Sequence, residues 1–168
     1  YKVDDQVADL WIVPTDGSAA PRRLTNSKSP ESGPAWSADS KRIAFAAKRD
    51  GDDVNQIYVL DLASGGEAQR VTTISTGARL PKFSPDGTRI AFTSDVPPDS
   101  LDDAHSKRLV EEEKSRKYNV RTYTGFPIRN WDKWLPDRRA HVIVQTIGQN
   151  DARDLLAGTQ LSKEPGFA

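Results

Sequence analysis

The side chains that could carry chemistry gather between residues 105 and 141 of this 168-residue chain. Glu111, Glu112 and Glu113 place three carboxylates side by side, and adjacent carboxylates suit a cation such as the α-ammonium of a peptide. The same run also fits i,i+4 pairing along a helix: Asp103 with Lys107, Lys107 with Glu111, Arg108 with Glu112, Glu112 with Arg116 and Glu113 with Lys117. From Lys114 to Arg139, eight basic residues stand against two acidic ones, interleaved with Tyr118, Tyr123, Phe126, Trp131 and Trp134. Such a mixture is what a single-strand nucleic-acid platform uses. Arginine stacked on tryptophan can equally clip an insertion onto its sheet, and the acidic run just upstream favours clipping. Contact with a peptide or its carboxylate is the next reading, with Arg121, Arg129, Trp131 and Trp134 as candidates.

Only His105 and His141 could act as neutral-pH bases. His141 heads a strand, where packing or a backbone bond is expected, and His105 falls on the charged helix, where it is solvated. No serine stands in a Gly-x-Ser-x-Gly elbow, so no Ser-His-Asp group can be assembled and no catalytic residue is assigned. Asp50 and Asp52 open with EF-hand spacing, but Val54 and Asn55 occupy the places of a ligand and the glycine. With Asp53, Asp102 and Asp103 they read as solvated turns, and neither a metal site nor a cofactor is expected.

These residues must be positioned by a repeat. Trp36-Ser37-Ala38-Asp39-Ser40-Lys41-Arg42-Ile43-Ala44-Phe45 returns as Phe83-Ser84-Pro85-Asp86-Gly87-Thr88-Arg89-Ile90-Ala91-Phe92, 47 residues later (83 less 36). Leu10-Trp11-Ile12-Val13 maps on Ile57-Tyr58-Val59-Leu60, and Arg23-Leu24-Thr25 on Arg70-Val71-Thr72, at the same offset. A period in the forties is that of a four-stranded propeller blade. In Ser84-Pro85-Asp86-Gly87, proline presets one turn dihedral, aspartate bonds locally and glycine takes the left-handed conformation that returns the chain as a hairpin. Ser37 to Ser40 lacks both proline and glycine and is expected to be a looser turn.

The fold class expected is all-β: a partial, open β-propeller of four-stranded antiparallel blades with one helix-containing insertion. Residues 1–25 read as the second half of a blade, 33–74 as a complete blade, 79–157 as a blade with an inserted arm at about 97–138, and 158–168 as the start of another. The third unit departs from the repeat because Ala104 to Lys107 cannot be the strand matching Gln56 to Leu62. His141 to Ile147 supplies it instead, 84 residues after Ile57, which implies an insertion of 37 residues (84 less 47). Within it, Ser100 to Lys117 reads as a surface helix capped by Ser100 and Asp103, with a thin apolar stripe of Leu101, Ala104, Leu109 and Val110.

Composition narrows the function classes. Lys plus Arg and Asp plus Glu number 24 each, so no global charge draws the chain to nucleic acid or an anionic membrane, and no apolar run is long enough to span a bilayer. The absence of cysteine excludes disulfides and cysteine-ligated metals. No methionine occurs, initiator included, and no signal peptide opens the chain, so a processed or excised segment is expected. Too few blades are present to close a ring, which leaves open blade ends available for pairing between copies.

The tandem units (W/F)-S-x-D-(G/S)-x-R-I-A-F, (L/I)-(W/Y)-(I/V)-(V/L) and R-(L/V)-T, over roughly residues 9–93, resemble TolB-type propeller repeats. These occur in the TolB periplasmic protein and in N-terminal propellers of prolyl oligopeptidase family serine peptidases. Pro127 to Trp134, Asp137-Arg138-Arg139 and the strand His141 to Val144 resemble the bacterial acylaminoacyl-peptidase and dipeptidyl-peptidase 5-like members. That resemblance implies a non-catalytic propeller serving a C-terminal α/β-hydrolase domain as partner, with peptide as substrate and the arm facing the interdomain cavity. It also implies a glutamate pair for the substrate's ammonium, for which Glu111, Glu112 and Glu113 are candidates, and a periplasmic or secreted location, the cytoplasm being the alternative. A TolB-like protein-binding propeller with no enzyme attached is the second reading, and an extracytoplasmic sugar or peptidoglycan sensor the third.

Overall fold

The computed structural model describes residues 8–98, 100–118, 120, 128–134 and 138–163. Its strands run β1 (Trp11–Ile12), β2 (Arg22–Arg23), β3 (Ser32–Trp36), β4 (Arg42–Ala47), β5 (Gln56–Asp61), β6 (Gln69–Arg70), β7 (Arg79–Phe83) and β8 (Arg89–Val96). Helix α1 (Asp103–Ser115) follows, then β9 (Arg129–Asn130), β10 (Lys133–Trp134), β11 (Arg139–Thr146), β12 (Arg153–Asp154) and a 3₁₀ turn at Leu161–Lys163. Two four-stranded antiparallel sheets, β3-β4-β5-β6 and β7-β8-β11-β12, are flanked by the two-stranded β1-β2, and β9-β10 forms a separate hairpin. The architecture is the open, propeller-like one the repeat implies.

Alternation along the central strands explains why the sheets stack. Ala44, Ala46, Ile57 and Val59 on one face of the second unit meet Ile90, Phe92 and Ile143 of the third. Ile43, Phe45, Ala47, Tyr58 and Leu60 on the other face pack against Leu10 and Leu24 of the first. A sheet buried on both faces carries apolar groups at successive positions, and β4 and β5 do.

The repeated threonine has a structural task. The outer strands β2 and β6 end after two residues, and beyond them a threonine hydroxyl replaces the backbone acceptor. Leu10 N donates to Thr25 Oγ1 at 2.9 Å and Ile57 N to Thr72 Oγ1 at 2.8 Å. Thr72 Oγ1 in turn donates to Gln56 Oε1 at 2.7 Å, and Gln56 also accepts from Ile74 N at 3.0 Å and donates to Ile74 O at 2.8 Å. Buried amides cannot be left unpaired, which is why the R-(L/V)-T signature recurs.

Two sequence expectations need correction. The Ser37 to Ser40 turn is not looser than its counterpart. Ser37 Oγ donates to Asp39 Oδ1 at 2.5 Å and accepts from Arg42 N at 2.9 Å, while Ser84 makes the same bonds to Asp86 at 2.5 Å and from Arg89 at 3.0 Å. Ser40 takes φ 57° where Gly87 takes 67°. The serine–aspartate cage therefore holds the left-handed residue without proline or glycine.

The register of the third sheet is also offset by one residue. Phe45 faces Tyr58 and Phe92 faces Ile143, so Ile143 matches Tyr58 at 85 residues (143 less 58), and the extra length over the repeat is 38 (85 less 47). Pairing His141 with Ile57 in the repeat would put it on the opposite face from the one it takes, because a one-residue slip in a strand exchanges the two faces.

Candidate functional site

Strand β8 ends at Val96 and β11 begins at Arg139, and these two residues are register partners. The segment 97–138 thus leaves and re-enters the sheet at one place, with β8 and β11 paired without a break across eight residue pairs. Connections between successive strands alternate between the two ends of an antiparallel sheet. The segment therefore emerges at the same end as the 48–55 loop and the 71–78 crossing, where Ala78 N donates to Asn55 O at 2.8 Å.

Helix α1 starts in the segment for a local reason. Asp102 is its N-cap, extended in backbone, with Oδ1 accepting from His105 N at 2.7 Å. Ser100 and Asp103 were the expected cap pair, and both are used otherwise. Ser100 Oγ and Ser106 Oγ bond each other at 2.6 Å, both buried, and Asp103 Oδ1 accepts from Ser75 N and Ser75 Oγ, each at 2.8 Å. The helix is consequently moored by its N-terminus to the crossing between the two sheets. Ser106 is its one buried residue, in keeping with a surface helix, and Leu101 is 63% exposed.

None of the five expected i,i+4 ion pairs closes among the described residues, as befits long side chains in water, where such pairs contribute little. Glu113 reaches Arg138 Nη2 at 2.5 Å instead, tying the end of the helix to the root of β11. Glu111 and Glu112 are exposed and carry no ion pair among the described residues. Arg129 lies over the Trp134 ring at 5.9 Å, and the two are partners in the β9-β10 hairpin. Their stacking lies within the hairpin. Trp131, at φ 55° on the hairpin tip, is 91% exposed, and Trp134 is 51% exposed. Arg121 lies outside the described residues.

His141 is buried, with Nδ1 2.6 Å from Asp154 Oδ2, while Asp154 Oδ1 accepts from Leu156 N and Ala157 N at 2.8 and 3.1 Å. It is packed into the sheet as expected, and the bond its ring makes is to a side chain rather than to the backbone. It faces the second sheet beside Ser94, and Ser94 Oγ is bonded to Thr76 Oγ1 at 2.6 Å. His105 is half-buried on α1.

Asp52 is likewise no solvated turn. It is buried, pairs with Arg70 at 2.9 Å and accepts from the Tyr58 hydroxyl at 2.6 Å. Burial first, and then the bond to Asp52, push the Tyr58 phenol up to about 12. Arg49 lies 4.7 Å over the Tyr58 ring and 5.6 Å over that of Phe45, and it pairs with buried Glu31 at 3.2 Å. Asn26, Lys28, Lys48, Arg49, Tyr58 and Arg70 line a cleft of about 720 Å³ between the first two units. Sequence gave no signal for this cluster, because its members are spread from 31 to 70 with no shared spacing. Among the described residues no group of three or more His, Cys, Asp or Glu could hold a metal, and no helix is long and apolar enough to cross a membrane.

Stacked four-stranded meanders with a serine–aspartate hairpin cage define a β-propeller fold. The TolB beta propeller domain family matches residues 3–104, and the chain belongs to that family. It is 34% identical over 167 residues to the uncharacterized peptidase YuxL of Bacillus subtilis, covering 98% of this chain and 24% of that protein. It is 28% identical over 157 residues to dipeptidyl-peptidase 5 of Porphyromonas endodontalis, covering 89% of this chain and 20% of that protein. The chain thus spans about a quarter or less of the length of the curated relatives it matches. Among solved structures, a TolB from Agrobacterium tumefaciens superposes with TM-score 0.56 at 22% identity, over 91% of this chain and 42% of the other. The acylaminoacyl peptidase of Pyrococcus horikoshii superposes with TM-score 0.50 at 15% identity, over 82% and 19%. Both likenesses concern the fold.

Proposed function

We propose that this chain is the non-catalytic propeller part of a serine peptidase of the prolyl oligopeptidase type, and that the arm at 97–138 selects peptide substrates for an α/β-hydrolase domain. The observation that carries the reading is the arm's construction. A sheet that needs only a tight turn between Val96 and Arg139 carries 42 residues there (139 less 97), and the described ones include a surface helix moored to Ser75 and a two-stranded hairpin. Insertions of this kind on a rigid repeat are where binding residues sit. Glu111 and Glu112, exposed and without an ion pair among the described residues, are placed to take an ammonium group, whereas Glu113 is engaged by Arg138. Trp131 adds an exposed ring for a side chain of the peptide. The curated relatives named as peptidases support this reading.

Excision of 97–138 tests it, with a two-residue Asn-Gly turn joining Val96 to Arg139 in the peptidase that contains this chain. Folding should survive and selectivity for short, free-amine peptides should fall. Unchanged selectivity would refute the role. A TolB-like protein-binding propeller with no enzyme attached is the second reading, favoured by the TM-score of 0.56 to a TolB structure, and a parent gene that encodes a closed ring with no serine elbow downstream would point to it. The periplasmic or secreted location belongs to the same proposal, and cell fractionation checks it.

A further inference from the structure

The contact between the second and third units is fastened by one arginine. Arg42 Nη2 donates to Gly87 O at 2.8 Å, and its guanidinium lies 5.3 Å from the centre of the Phe83 ring. A Cβ at Gly87 would stand 2.5 Å from that same Nη2. Glycine at the end of the aromatic-Ser-x-Asp-Gly turn takes the left-handed φ of 67° and lets the flexible arginine tip keep its bond to Gly87 O, which a Cβ would oblige it to shift away from. Ser40 shows that the left-handed φ alone does not require glycine, since it holds φ 57° with a side chain in place.

We propose that this arginine–glycine contact is a matching rule between successive blades, and that Arg89 is its next donor, built to receive a further blade whose turn ends in glycine. Arg89 stands 47 residues after Arg42 (89 less 42), on the face of the third sheet turned away from the second. That face repeats the covered one. Ala44 opposite Val59 and Ala46 opposite Ile57 are buried in the inter-sheet core, and Ala91 opposite Val144 and Thr93 opposite Val142 offer the same small and β-branched pairing. Val142 is 38% exposed there, and Arg89 is exposed. Occupancy of the face by a blade of the same kind follows from continuity with the seated interface on its other side. By the same rule, Ser40 bars an arginine from seating against its own turn as Arg42 seats against Gly87.

The test has two arms. In the 168-residue chain, Arg42→Ala, Gly87→Ala and the double variant form a cycle read by chemical denaturation. Gly87→Ala should lower the folding constant several-fold more with Arg42 present than without it, and additive effects would overturn the contact itself. In the second arm, the chain is extended at its C-terminus by a second copy of residues 26–74, carrying either Ser40→Gly or the original Ser40 in the added copy. Arg89→Ala should reduce the folding constant about tenfold in the glycine-turn extension, the scale of a charged hydrogen bond. It should have no effect in the serine-turn extension or in the unextended chain. An equal effect in all three proteins, or none in any, would overturn the rule.

Discussion

Replacing Phe92 by alanine puts the stacked-sheet account at most risk. Phe92 is 2% exposed and lies in the core between the second and third sheets, against Ala44, Ala46, Ile57 and Val59. A buried Phe→Ala change costs about 3–5 kcal/mol, counting the lost transfer free energy and the cavity left behind. For a chain of this length each kcal/mol moves Tm by about 2–4 °C, so the melting temperature should fall by about 6–20 °C. Val142→Ala on the far side of the same sheet is the control. It removes two methyl groups from a side chain already 38% exposed and should cost under about 1 kcal/mol. Circular dichroism is the appropriate readout, because Trp11, Trp36, Trp131 and Trp134 are all at least half exposed and their fluorescence reports little of the core. Equal losses from the two variants would refute the assignment of one face to a core and the other to an open side.

Thr72→Val, nearly isosteric, strips the acceptor from Ile57 N, while Gln56 Oε1 keeps its bond from Ile74 N, and should destabilise by about 1–3 kcal/mol in urea titration. Bonds from Ser84 and then Thr88 hold the Asp86 carboxyl down at about 2, and bonds from Ser37 and Lys41 lower Asp39 as well. Because both folded-state values lie below the ordinary one, their contribution is complete above about pH 4 and is lost as pH falls toward 2. Asp86→Asn should flatten that part of the stability profile. Tyr58 is raised to about 12, so its contribution is complete below about pH 10 and declines as pH rises toward 12. Tyrosinate absorbance should show one ring ionising late, and Tyr58→Phe should remove it. Asp103→Ala should release the helix from Ser75, raising amide exchange across 103–115 while leaving global melting nearly unchanged.

The propeller was legible because its repeat is written in strong local chemistry. Arg-Ile-Ala-Phe alternation, the serine–aspartate turn and the outer-strand threonine recur at one offset, and each answers to a backbone requirement that a sequence displays. The third unit's register was read one residue off, since Val142 and Val144 on one face and Ile143 and Ile147 on the other are both apolar pairs, and periodicity alone could not choose between them. Buried charges were not legible for a different reason. Asp52 and Glu31 look like loop carboxylates until Arg70 of β6 and Arg49 of the 48–55 loop reach them, and such meetings depend on tertiary geometry. On the arm, the glutamate run predicted a helix correctly, but the partners of Asp103 and Glu113 lie outside it. Local pairing on an exposed helix contributes too little to decide where a side chain goes.

The claim on which the functional reading rests is that the arm's free carboxylates engage a substrate's ammonium group. Steady-state kinetics of the peptidase containing this chain, with Glu111→Gln and Glu112→Gln combined, test it on paired peptides that differ only in N-acetylation. The account predicts that KM rises for the free-amine peptide and stays constant for the acetylated one, at unchanged kcat. A KM that moves equally for both peptides, or for neither, would contradict it.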